Sequence, residues 1–329
     1  MGDGIRMETC QSPRMALRAA YDLGRRLLPE RTSKFSRQDF TLPQLFACLV
    51  LREMLRLSYR KAEVLLRDSL SWLAEIGLAH PPDHNTLWRA FGALCTLRRL
   101  NRMLDRQAEL FRQARKLKLR EKPLVLDSTC FEPHHRSRHN DWRCRKMGLA
   151  PGHKFGRKTA RSVNAARSHQ HRRMPKLAMA GADSCHLVLA AKVHIGSGSD
   201  APDFAPLLRD ACHRAPVQTA AADSGFDSEA NHRLARIDLH VRSIIPAGAG
   251  RPSAQPPTGR WRRHMRQRFA RRADRRIYGQ RAQVETIHSM FKRNLGDDLR
   301  SRLKSRRKVE MLFRTIVHNI TLTAALETG

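Results

Sequence analysis

Residues 123–129 read PLVLDST, a proline and three apolar residues followed by an aspartate and two hydroxyl side chains. Upstream, apolar residues recur at helical spacing. Here they run together, as in a strand buried on both faces. The change of period predicts a strand ending on Asp127 and separates a helical N-terminal part, residues 1–120, from a strand-bearing remainder, 121–329. Further along, KLAMAGAD (176–183) and HLVLAAKVHI (186–195) read as a hairpin turning at Asp183 to Cys185. DFAPLLRDACHR (203–214) reads as a helix and VQTAAADSGFD (217–227) as a small-residue strand ending on Asp223. SEANHRLARI (228–237) is a further helix and VRSIIPA (241–247) a last strand, giving an α/β class with a mixed sheet flanked by helices.

Four helices are predicted in the N-terminal part. MALRAAYDLGRRLL (15–28) is amphipathic, and a second helix carries Leu42, Leu45, Phe46, Leu49, Val50, Leu55 and Leu57 behind the start signals Thr41 and Pro43. A third, YRKAEVLLRDSL (59–70), follows Ser58. The fourth, NTLWRAFGALCTLRRLNRMLDRQAELF (85–111), aligns Leu87, Phe91, Leu94, Leu97, Leu100 and Leu104 on one side.

The chain has 329 residues, with 63 Lys and Arg against 30 Asp and Glu, a formal net charge of +33. The excess runs along the whole length, so a polyanion is the expected partner. No apolar run approaches the ~20 residues a membrane span needs, which favours nucleic acid over lipid. MGDGIRMETCQ lacks an apolar signal core, so a cytoplasmic, nucleoid-associated protein is expected. Seven scattered cysteines without a Cys-x-x-Cys pair read as reduced packing residues. Cys130, His134, His135, His139 and Cys144 fit no zinc spacing and sit among arginines. Two basic segments interrupt the strand-bearing part, at 134–173 and 250–276. The second ends RWRRHMRQRFARRADRR, a composition that cannot build a core and reads as a clamp on DNA phosphates through Arg260, Trp261, Arg262, Arg263, Arg266 and Arg268.

Residues 278–292, YGQRAQVETIHSMFK, read as one helix. At about 100° per residue, Tyr278, Arg281, Glu285 and Lys292 fall within an arc of roughly 60°, beside an apolar stripe of Ile277, Val284, Phe291 and Leu295. This spacing resembles the C-terminal signature of bacterial insertion-sequence transposases of the DDE type, which also require two aspartates at strand ends. Asp127 and Asp223 meet that requirement, and the order of elements from residue 122 is that of a ribonuclease H-like core.

The resemblance implies that Asp127, Asp223 and Glu285 converge as metal ligands. Carboxylate oxygens suit Mg²⁺, with Mn²⁺ a substitute, and two ions about 3.5–4 Å apart serve in-line phosphoryl transfer. It implies cleavage at transposon ends followed by strand transfer of the 3′-hydroxyl into target DNA, by a homodimer on DNA. Arg281 and Lys292 would hold phosphates, and Tyr278 the backbone or a base. Ahead of this core, PDHNTLWRAF resembles a helix-turn-helix, with Asn85, Thr86 and Arg89 as DNA contacts beside His84 and Trp88. Asp183, Asp227, Asp297 and Asp298 read as turn and charge-balance residues, and Glu310, on the final packing helix, as a carboxylate remote from chemistry. Two other readings stand beside the transposase: a nuclease of the same core without strand transfer, and an inactive transposase-derived DNA-binding regulator.

Overall fold

Strand β1 (Leu124–Cys130) forms at the predicted place and continues past Asp127, because its two edges end differently. Against β3 (Pro175–Ala182) the antiparallel ladder runs the whole length, from Leu124 opposite Ala182 to Cys130 opposite Lys176. Against the parallel β5 (Thr219–Ala222) it stops at Leu126 opposite Ala222. Asp127 is therefore where one edge of the strand comes free. This computed structural model describes residues 10–31, 33, 39–133, 142, 143, 145–148, 174–196, 198–248, 257–272 and 274–326.

β4 (Val188–Ile195) closes the predicted hairpin with β3, and β6 (Arg242–Ile244) flanks β5, giving the five-stranded order β4-β3-β1-β5-β6. The sheet is mixed and flanked by helices, as expected. Between the strands lie α7 (Ala201–Arg214) and α8 (Glu229–Arg233), the latter extended by a π turn over Leu234–Asp238. A short parallel pair, β2 (Glu132–Pro133) with β7 (Asp298–Leu299), ties the exit of β1 to the chain's last third. The stretch containing Asp298 was expected to be a basic turn only.

The N-terminal part holds six helices among the described residues: α1 (Pro13–Leu27), α2 (Leu42–Met54), α3 (Tyr59–Asp68), α4 (Leu70–Glu75), α5 (His84–Leu94) and α6 (Leu97–Gln113). The predicted fourth helix breaks at Cys95–Thr96, where Thr96 Oγ1 accepts the Arg99 N–H at 3.3 Å and caps a new start. Local capping there overrides an apolar period that runs through both helices. The third predicted helix ends at Asp68, and α4 starts at Leu70 after Ser69, whose side chain makes no capping bond.

These helices share a core with the last helix, α12 (Lys304–Leu326). Phe313 packs edge-on against Phe46 of α2 and Phe91 of α5, with ring centroids 6.1 and 5.5 Å apart. Arg314, buried beside it, is held by Glu53 at 2.7 Å and Glu310 at 3.0 Å. Asn319 bonds both the N–H and the carbonyl of Val188, at 3.0 and 2.8 Å, satisfying the edge of β4. No helix among the described residues is long and apolar enough to cross a membrane.

Two expectations are corrected by the backbone. Residues 278–292 are not one helix: α10 (Arg275–Gly279) stops, the chain turns through Gln280 and Arg281, and α11 (Ala282–Leu295) begins. Tyr278 thus belongs to a different helix from Glu285 and Lys292. The arginine-rich segment does contribute to a core, since α9 (Arg260–Ala270) buries Met265 against Ala221 and Ile244. Its charge is tolerated because carboxylates meet it. Glu229 accepts the Trp261 and Arg262 N–H groups at 3.0 and 3.1 Å, in the manner of a helix cap, and Arg262 and Arg268 pair with the buried Asp227 and Asp274. Residues 249–256, most of the 134–173 insertion, and His134, His135, His139 and Cys144 lie outside the described residues.

Candidate active site

Because Leu126 stands opposite Ala222 on parallel strands, the next residues, Asp127 and Asp223, follow side by side where the β1–β5 pairing ends. Asp127 Oδ1 accepts the Ser128 N–H at 2.8 Å. Burial pushes the Asp127 carboxyl up to about 6, and the nearby Asp223 and Asp200 carboxylates push the same way, against the Ser128 N–H and Arg281.

α11 lies across this edge. Phe291 meets Phe131 at 5.7 Å between ring centroids, and the end of the Ile287 side chain fills the space that Gly181 of β3 leaves open. Arg281, in the turn before α11, places Nη1 3.7 Å from Asp127 Oδ2 and Nη2 3.7 Å from Glu285 Oε1. Glu285 is otherwise open, its side chain 66% exposed. The Arg281 guanidinium also lies 5.7 Å from the Tyr278 ring centroid, and Phe269 meets that ring edge-on. Burial raises the Tyr278 phenol, with Asp223 and Asp127 adding to the shift and Arg281 opposing it. Lys292 reaches the end of β1, its Nζ 5.8 Å from the Phe131 ring centroid. The break between α10 and α11 therefore leaves Tyr278, Arg281 and Glu285 around one edge, with Lys292 farther along it.

A family model described as Transposase DDE domain matches residues 118–320, from just before β1 to near the end of α12. The chain belongs to the DDE transposase family. Its substrate class is accordingly DNA, and its fold that of a ribonuclease H-like enzyme of phosphodiester cleavage and transesterification. No curated protein and no solved structure matches it.

Transposases of this family typically use a divalent metal. Among the described residues no group of three or more His, Cys, Asp and Glu side chains is gathered closely enough to hold a metal ion. Asp127 and Asp223 adjoin, whereas Glu285 is linked to Asp127 through Arg281. The donor chemistry nonetheless fits a hard cation, since Asp127 is partly desolvated beside like charges and offers carboxylate oxygen.

The transposase also has two groups here that sequence reading passed over. Asp200, just before α7, lies against Gly225, where a methyl group would come 3.1 Å from its Oδ2. Lys176, nearly fully buried on β3, bonds Asp200 at 2.9 Å and lies 3.5 Å from Asp203, which in turn bonds His194 at 2.7 Å. Asp200 had only a helix-start signal, and Lys176 looked like the polar flank of a strand.

Among the other predicted contacts of the transposase, Arg260, Arg263 and Arg266 on α9 are exposed, and Trp261 is half-buried with the Arg236 and Arg260 guanidiniums 5.0 and 5.1 Å from its ring. Arg262 and Arg268 are held in ion pairs with Asp227 and Asp274. At the start of α5, Asp83 accepts the N–H groups of Asn85 and Thr86 and the Thr86 hydroxyl, so a carboxylate already occupies that helix end. Asn85 and Arg89 are exposed. Ser243, His232 and Asp227 line up like a nucleophile triad, with Ser243 Oγ 2.8 Å from His232 Nδ1. His232 and Ser243 are fully buried, and Arg236 also bonds the Ser243 hydroxyl, so the trio serves to anchor α8 to β6 and α9.

Proposed function

We propose that this chain is an insertion-sequence transposase that cleaves DNA at the ends of its element and joins the freed 3′-hydroxyl to target DNA. The observation that carries this reading is the pairing of Asp127 with Asp223 at one sheet edge, faced by Glu285 through Arg281, inside the matched transposase domain. Asp127, Asp223 and Glu285 are the residues assigned to hold Mg²⁺, or Mn²⁺ in its place. Such ions supply Lewis-acid charge for in-line displacement at phosphorus.

The chain's own residues bind and orient the DNA. Arg281 donates to a non-bridging phosphate oxygen, Lys292 holds a phosphate farther along the same strand, and Tyr278 packs against the backbone or a base beside the cut. In the first step a water oxygen bonds to phosphorus and the 3′-oxygen departs, leaving a 3′-hydroxyl. In the second, that hydroxyl oxygen bonds to a target phosphorus as the target strand's own 3′-oxygen departs, and the proton the attacking hydroxyl gives up is matched by the one the departing oxygen takes. The exposed arginines of α9 and the N-terminal helices hold the flanking duplex, with a homodimer pairing two ends.

The test is incubation with the element's own terminal DNA, target plasmid and Mg²⁺. Joined products support the transposase reading, cleavage without joining indicates a nuclease, and binding without either indicates a regulator.

A further inference from the structure

A cleft of about 630 Å³ opens between α5 and the segment leading into α12. Its size falls in the ~300–1,000 Å³ range of pockets that take a small organic group. It is lined by none of Asp127, Asp223, Glu285, Tyr278, Arg281 or Lys292. Two large apolar side chains stand open in its wall, Trp88 at 63% exposure and Leu303 at 66%. Trp88 also lines a second hollow of about 520 Å³, shared with Tyr59 and Asn85, so its indole stands as a fin between two open spaces.

The charge around the fin is one-sided. Glu53 and Glu310 on the floor are engaged, Glu53 with Arg314 and Arg52, and Glu310 with Arg314 and the N–H groups of Arg300 and Ser301. Arg89, Arg302 and Arg306 on the rim are exposed, and their guanidiniums make no hydrogen bond or ion pair with any described residue. Arg306 lies flat against α5 at Gly92, where a methyl group would come within 3.1 Å of its Nη2. Uncommitted guanidiniums beside an exposed indole match a phosphodiester carrying an unstacked base.

We propose that this cleft captures an unpaired nucleotide of the DNA substrate, its base stacked on Trp88 and its flanking phosphates held by Arg89, Arg302 and Arg306. The capping of the α5 N-terminus by Asp83 favours this over entry of that helix end into a duplex groove, because a carboxylate there repels phosphate. The proposal rests on DNA as the substrate but not on the assignment of the three acidic residues.

The experiment measures binding of fluorescent 12-mers, single-stranded, fully paired, and paired with one extra unpaired nucleotide, to the full chain, with recovery of each probe at full length checked on a denaturing gel. Trp88→Ala should weaken the single-stranded and bulged probes about 5- to 150-fold, the worth of one stacked base, and leave the paired probe within about twofold. Trp88→Phe should restore most of the loss, and Gly92→Val, which displaces Arg306, should reproduce part of it. Equal weakening of all three probes overturns the proposal in favour of a groove contact. Unchanged binding of all three overturns it outright while leaving the transposase reading intact. If the parent chain binds no DNA at all, both fail.

Discussion

Arg281 Nη1 stands 3.7 Å from Asp127 Oδ2, too far for a hydrogen bond and near enough for charge to be felt. The same guanidinium faces Glu285, so one cation is shared between two carboxylates. If that cation also meets the scissile phosphate, Arg281→Met should lower cleavage by about 10²- to 10³-fold, the usual effect of removing one preorganised donor. Binding of end DNA should stay within a few-fold. Single-turnover cleavage against a gel-shift titration checks this, and a wild-type cleavage rate would exclude Arg281 from the reaction.

Glu285→Gln tests the acidic residue most open to solvent. Its side chain is 66% exposed, so the melting temperature should hardly move, within about 0.5 kcal/mol of stability. Mg²⁺-dependent cleavage and strand transfer should disappear together. Glu310→Gln, which the sequence offers as a matched control, is unsuitable because Glu310 is buried against Arg314 and accepts two backbone N–H groups. That change should itself cost about 1–3 kcal/mol. Glu121→Gln, on an exposed residue, is the better control.

The arginines of α9 divide into two sets with different signatures. Arg262→Ala removes the 2.8 Å partner of the buried Asp227 and should destabilise the fold by about 1–3 kcal/mol. Arg263→Ala, on the exposed side, should leave the melting curve in place and lower the slope of log affinity against log salt by about one. Thermal melts and salt titrations of the two variants should therefore move in opposite columns, and a destabilised Arg263→Ala would contradict the division.

His318 makes a pH prediction with a definite sign. Burial lowers it from its ordinary value to about 4, opposed by its bond to the His186 carbonyl at 3.1 Å. The unfolded chain therefore takes up a proton more readily than the folded one. Stability from the neutral imidazole is complete above pH ~6.5 and is lost as the pH falls from there through about 4. Urea unfolding between pH 7 and 4 should show that loss, and His318→Gln, which keeps an N–H donor, should reduce it, the remainder including the share of His288, which burial likewise lowers to about 4.

What the sequence made legible follows from which forces are local. The apolar run before Asp127 and the small-residue run before Asp223 announced strands because burial on both faces leaves no other composition. The pairing of those two aspartates depends on a parallel register that no single segment encodes. The break at Gln280 and Arg281 was hidden because Tyr278 and Glu285 keep helical phase across it. Asp200 and Lys176 were hidden for the opposite reason, since each has an ordinary local role and acquires another only when β3, β1 and the start of α7 meet. On α9, arginine count suggested a bare clamp, whereas Asp227, Glu229 and Asp274, scattered over nearly fifty positions, turn part of it into structure.

Phe313 closes the N-terminal core by filling the space between Phe46 and Phe91. In a growing chain that plug arrives late. At roughly 5–20 residues per second, on the order of 10–40 s separates synthesis of α6 from synthesis of α12. During that interval the apolar faces of α2 and α5 lack the partner that covers them, and they are open to chaperones or to other nascent chains. A message truncated just before residue 304 would still encode Asp127, Asp223 and Glu285, yet its product would never receive the helix around which the first hundred residues close.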